Sequence, residues 1–225
     1  MYYTDNTIAR DMFYRAIDLL DFNGGVSLLR IDRVQRRFHA ARAVSIALPS
    51  IVTDTDALAI ASKCSNVESV DAKGCRLLTD FSIVAFARSC LKSVCLDFCV
   101  PLTDICFGAL AERCPLLESV SLRGCELTDV SIVALAKKCA RLSSVNFAFC
   151  DLLTDVSIMA LAGNSSLLES VNLGSCKLLT DVSIVAFAGS CPLLKSVNFT
   201  HCYLLTDASV AALKAALPDG SAGGP

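Results

Sequence analysis

The chain has 225 residues, 54% of them hydrophobic and 19% charged, with a formal net charge of -2 and a mean hydropathy of +0.57. These values exclude a broad basic field for nucleic acid, and no apolar run reaches the roughly 18 residues of a membrane-spanning helix. The 13 cysteines would suit a disulfide framework in a small secreted protein, but most recur in two regular columns, as expected of reduced, buried, small apolar side chains.

The opening stretch MYYTDNTIARDMFY carries neither a basic leader nor an apolar core. The expectation is therefore a chain without a secretory signal, resident in the cytoplasm or nucleus. Ile8, Met12, Phe13, Ala16, Ile17 and Leu20 fall at helical spacing ahead of Asn23-Gly24-Gly25. A second helix is predicted over 27–42, with Ser27 as N-cap and Leu28, Ile31, Val34, Phe38 and Ala41 as its apolar stripe. Arg30, Arg33, Arg36, Arg37 and Arg42 lie mainly between those positions and form a solvated face. On this reading residues 1–42 are a helical cap that shields the open apolar end of the array behind them.

From residue 43 the chain repeats itself. Thr-Asp pairs at Thr53-Asp54, Thr79-Asp80, Thr103-Asp104, Thr128-Asp129, Thr154-Asp155, Thr180-Asp181 and Thr206-Asp207 are 26, 24, 25, 26, 26 and 26 residues apart. A period of this length specifies a solenoid. Strands are predicted at 44–46, 69–72, 93–96, 119–122, 144–147, 170–173 and 196–199, each followed by a turn and a helix opening at Thr-Asp. There a Thr or Asp oxygen accepts from the free first-turn N–H groups, and the Asp charge opposes the helix dipole. The first unit is degenerate, with Pro49 in place of the turn cysteine, and residues 218–225 read as a flexible tail.

Strand side chains alternate, so Val120 and Leu122 face the core while Ser119, Ser121 and Arg123 face the open side of the sheet. Three columns follow. The first is uniformly Ser; the second runs Asp71, Cys95, Ser121, Asn146, Asn172 and Asn198; the third runs Lys73, Asp97, Arg123, Ala148, Gly174 and Thr200, with Phe98, Phe149 and His201 at the rim. Asp71, Lys73, Cys95, Asp97, Ser121, Arg123, Asn146, Asn172, Asn198, Thr200 and His201 form the candidate protein-binding face. The alternative is that small polar residues are simply what a solvated parallel sheet tolerates. Cys95 is the one thiol placed on that face, with nothing nearby in sequence to lower its pKa.

Within the unit CPLLESVSLRGCELTDVSIVALAKKC, the segment from Leu117 to Leu127 fits L-x-x-L-x-L-x-x-N/C-x-L, with Val120 in the second apolar slot. Its turn cysteine recurs as Cys75, Cys99, Cys125, Cys150, Cys176 and Cys202, and a helix-end column holds Cys64, Cys90, Cys114, Cys139 and Cys191. These features resemble the cysteine-containing leucine-rich repeats, best known from F-box proteins. The resemblance implies an α/β, right-handed leucine-rich-repeat solenoid, a horseshoe with parallel strands on the concave face and helices on the convex face. Residues 27–38 are also similar to the end of an F-box, which implies docking to a Skp-type adaptor through Leu28, Leu29, Val34 and Phe38.

The expected function is non-enzymatic protein recognition, as a substrate receptor or adaptor in SCF-type ubiquitin ligation. A stand-alone scaffold and a leucine-rich-repeat regulator of a small GTPase are the alternatives. One cysteine per layer cannot converge on a metal, seven aspartates along one edge have no base or nucleophile beside them, and His39 and His201 are far apart in sequence. No metal, cofactor, nucleic-acid or membrane partner is expected.

Overall fold

The computed structural model describes residues 44–217, apart from 65 and 89, together with 222 and 223. The two helices predicted over 1–42, including Leu28, Leu29, Val34 and Phe38, lie outside the described residues. Strands and helices alternate: β1 Val44–Ala47, α1 Asp54–Lys63, β2 Val67–Asp71, α2 Asp80–Phe86, β3 Ser93–Cys95, α3 Asp104–Arg113, β4 Ser119–Ser121 and α4 Asp129–Lys138. They continue as β5 Ser144–Asn146, α5 Asp155–Asn164, β6 Ser170–Asn172, α6 Asp181–Ser190, β7 Ser196–Asn198, α7 Asp207–Ala216 and β8 Ala222–Gly223. All strands pair in parallel and in sequence order in one eight-stranded sheet. The fold is a leucine-rich-repeat solenoid.

The last strand corrects one expectation. The tail was expected to be flexible throughout, yet Ala222 and Gly223 pair with Val197 and Asn198. The edge of β7 offers the backbone groups that this pairing uses.

Each strand is short because only one residue per strand must face the core. In β3 to β7 the central Val94, Val120, Val145, Val171 and Val197 are buried between half-buried neighbours, and the apolar residue two places on is buried as well. The helices close the other side of this core with Ile83 and Phe86, Phe107 and Leu110, Ile132 and Leu135, Ile158 and Leu161, and Ile184 and Phe187. Burying such a side chain is worth about 1.5–3 kcal/mol. Layer upon layer, these residues make one continuous apolar column rather than a central core.

The turn cysteines have a specific task. In each layer the chain turns through a left-handed residue, Gly74, Phe98, Gly124, Phe149, Ser175 or His201, and the following cysteine points inward. Its thiol donates to a carbonyl of the preceding layer: Cys99 to Ala72 at 3.0 Å, Cys125 to Leu96 at 3.1 Å, Cys150 to Leu122 at 3.2 Å, Cys176 to Phe147 at 3.1 Å and Cys202 to Leu173 at 3.1 Å. The same carbonyls also accept the backbone N–H of their own layer's cysteine. A buried carbonyl with two lone pairs is thereby satisfied twice, which an alanine could not do.

The Thr-Asp step divides its two roles between layers. Thr103, Thr128, Thr154 and Thr180 cap their own helices by accepting from Ile105, Val130, Val156 and Val182. The aspartate instead reaches the next layer. Asp129 accepts from the Thr154 N–H and hydroxyl at 2.9 and 2.6 Å, and Asp155 does the same for Thr180 at 3.0 and 2.6 Å. Equivalent pairs join Asp54 to Thr79, Asp80 to Thr103, Asp104 to Thr128 and Asp181 to Thr206. In the first layer Asp56, on the same helix, takes the Thr53 N–H and hydroxyl at 3.0 and 2.7 Å. The buried Ser82, Ser131, Ser157 and Ser183, three residues after Thr79, Thr128, Thr154 and Thr180, add a donor to the carboxylate or to the Thr carbonyl. Cys106 stands in this serine position and donates to the Thr103 carbonyl at 3.4 Å, which accounts for its place outside both cysteine columns.

Burial alone would raise the carboxyls of Asp104, Asp129 and Asp155, but the Ser and Thr donors outweigh it and hold each below its ordinary 3.8. A folded pKa below the unfolded one gives stabilisation that is complete above 3.8 and disappears as pH falls through the lowered values. The urea midpoint should therefore be level between about pH 5 and 8 and drop below about pH 5, with a shallower drop in Asp129→Asn. Thr154→Ala, which loses the hydroxyl bond and the cap together, should cost about 1–2 kcal/mol in urea unfolding at neutral pH.

Candidate functional site

The concave columns are set by the sheet register. Ser69, Ser93, Ser119, Ser144, Ser170 and Ser196 are direct neighbours across successive strands, and Asp71, Cys95, Ser121, Asn146, Asn172 and Asn198 form the parallel row two residues on. Six residues of the predicted face, Asp71, Cys95, Ser121, Asn146, Asn172 and Asn198, are thereby placed in one row. The residues of the face are not equally available.

The asparagines serve the turn first. Asn146, Asn172 and Asn198 turn their side-chain oxygens back to the N–H of Ala148, Gly174 and Thr200 at 3.2, 3.0 and 2.9 Å, and Asp71 does the same for Lys73 at 3.1 Å. Such closure is a known use of Asn and Asp in turns. Thr200 also donates its hydroxyl to Asn198, and His201 lies beside Tyr203, with ring centroids 5.9 Å apart and the rings tilted by 45°.

The middle of the face breaks the pattern. Ser121 cannot close the turn as Asn does, and Asp97 of the preceding layer reaches across to accept from the Ser121 hydroxyl at 2.6 Å and the Arg123 N–H at 2.9 Å. Asp97 was expected as an exposed contact residue; it is only 7% exposed and its carboxylate is occupied by this turn. The Arg123 side chain then lies between two rings, its Cζ 5.3 Å from the Phe98 centroid and 4.8 Å from that of Phe149. Sequence reading found these residues one by one but not their convergence, because each belongs to a different layer.

Backbone conformation marks the same place. Phe98 and Phe149 sit at φ +59° and +62°, a left-handed region that costs a side chain about 1–2 kcal/mol. Gly124 lies between them in the array at φ +66°, and a Cβ there would come within 2.6 Å of the Phe98 ring. Gly124→Ala should therefore destabilise the chain by about 1–3 kcal/mol, whereas Gly108→Ala, in the open on α3, should stabilise it by up to about 1 kcal/mol. Paired urea melts check both.

Cys95 is half-buried, and burial pushes its thiol up to about 11. Ten of the other cysteines are buried. The native protein should accordingly be alkylated by iodoacetamide at pH 7.5 at least about tenfold more slowly per thiol than after unfolding in guanidinium, where all react. Among the described residues no three His, Cys, Asp or Glu side chains come together as a metal-holding group, and no helix is long and apolar enough to cross a membrane.

A one-sided solenoid with an open, side-chain-rich concave sheet defines a leucine-rich-repeat interaction module. The Leucine Rich repeat family model matches residues 113–136. Among solved structures, the chain is similar to one from the Rad7 and Elc1 complex in yeast, with a TM-score of 0.68 and 23% identity over 79% of this chain and 47% of that one. The chain thus spans about half the length of the solved chain it matches.

Proposed function

We propose that the chain is a substrate receptor or adaptor in SCF-type ubiquitin ligation, holding its substrate on the concave face and docking a Skp-type adaptor through residues 27–38. The observation that carries this reading is the F-box-like spacing of Leu28, Leu29, Val34 and Phe38 immediately ahead of the first repeat, which opens at Val44. Support comes from the architecture: among the described residues no helix covers the open face of the sheet, and the solved neighbour is itself from a complex of two proteins. Such a role is exercised in the cytoplasm or nucleus.

The test is binding of the purified chain to a Skp-type adaptor, with Leu28→Asp/Phe38→Asp as the comparison and circular dichroism as the check on folding. The expected result is micromolar or tighter binding by the intact chain and at least a tenfold loss in the folded double variant. Absence of binding at tens of micromolar would overturn the ligase reading and leave a scaffold whose N-terminal segment shields the first repeat.

A further inference from the structure

The repeats are close copies of one another, so a feature present in only one place stands out against them. Arg123 is such a feature. In the same column the other layers carry Lys73, Asp97, Ala148, Gly174 and Thr200. Arg123 alone is flanked by aromatic rings, from the layer before and the layer after.

Three departures from the repeat converge to hold it. Phe98 and Phe149 take the left-handed turn position that Gly74 and Gly124 fill in other layers. Gly124 supplies the space that the Phe98 ring occupies. Asp97 fixes the Arg123 backbone through its N–H and leaves the guanidinium free of it: among the described residues Arg123 takes part in no ion pair. Its Nε is enclosed without a hydrogen-bond partner, which leaves the two terminal nitrogens as the donors that can reach outward. A guanidinium set against rings and engaged in no ion pair among the described residues is held ready to form two in-plane bonds to a planar anion.

We propose that Arg123, clamped by Phe98 and Phe149, is an anchor for a carboxylate side chain of a partner polypeptide lying along the concave face. One guanidinium matches the single charge of an Asp or Glu. A phosphoryl dianion would call for a second cation, and the nearest basic residue of the same column, Lys73, is two layers away, about 10 Å by strand spacing. Asn146, the register partner of Ser121 in the next layer, keeps its oxygen turned to its own backbone. The inference rests on the concave face being a protein-binding surface; it is independent of the docking of residues 27–38.

The probe is a phage-displayed library of random linear 12-residue peptides, selected against the full chain. The expected outcome is enrichment of an Asp or Glu at a fixed place in the peptide. Binding by the enriched peptide should fall about 10–100-fold with Arg123→Gln, and equally when its acid is changed to the amide, with no further loss when both changes are combined. Arg123→Lys should recover only part of the affinity, and Phe149→Leu should lose several-fold, each variant retaining the parent dichroism and melting temperature. Selection that yields no binder sensitive to Arg123, or binders without a fixed acid, overturns the anchor. If such binders are instead lost with Asn172→Ala, the concave face still binds protein and only the anchor is wrong; if no concave substitution affects them, both readings fall. At least tenfold tighter binding when phosphoserine replaces the enriched acid would also overturn it, in favour of a phosphate site.

Discussion

The carboxylate of each Thr-Asp step belongs chemically to the layer after its own. The apolar residues would bury themselves in many arrangements, since hydrophobic contact is not directional. A carboxylate that must accept from both the N–H and the hydroxyl of one particular threonine has only one satisfactory partner, and it fixes the offset between adjacent helices. The thiols repeat this on the other side of the turn, tying each layer to a carbonyl of the one before. Between these two ladders the Val and Leu or Phe columns are stacked in register, and the concave rows of Ser and Asn follow.

The high hydropathy of the chain has its explanation in this geometry. A solenoid has a large surface for its volume, and the second residue of several helices is apolar and outward: Phe81, Ile105, Val130, Val156 and Val182 are all exposed. The capping threonine and the bridging aspartate occupy the neighbouring positions, so the polar chemistry of the first turn is committed to the joints between layers.

Much of the fold could be read from sequence because it is written in period and alternation. The strands, the helix starts, the turn cysteines and the residues facing the open side all follow from a 26-residue repeat. What could not be read were the interactions between equivalent positions of neighbouring layers. Asp97 was expected on the open face, yet it is buried, its carboxylate drawn to Ser121, which cannot close its own turn one layer on. Phe98, Arg123 and Phe149 are 25 and 26 residues apart; only the stacking of three layers brings a guanidinium between two rings. The paired edge at Ala222 and Gly223 escaped notice because it lies in a segment with no repeat pattern of its own.

The forward-reaching carboxylates also give the array a head and a tail. At the head, Thr53 finds its acceptor in Asp56 on the same helix, so that threonine needs no layer before it. Every later threonine borrows its acceptor from the layer before. A whole repeat can therefore be excised or inserted anywhere after the head without leaving a threonine unmatched, since the carboxylate upstream meets the same residue in the new neighbour. Such a chain behaves as a one-way chemical alphabet, in which length and the placement of an aberrant layer such as the one bearing Arg123 can change independently of each other.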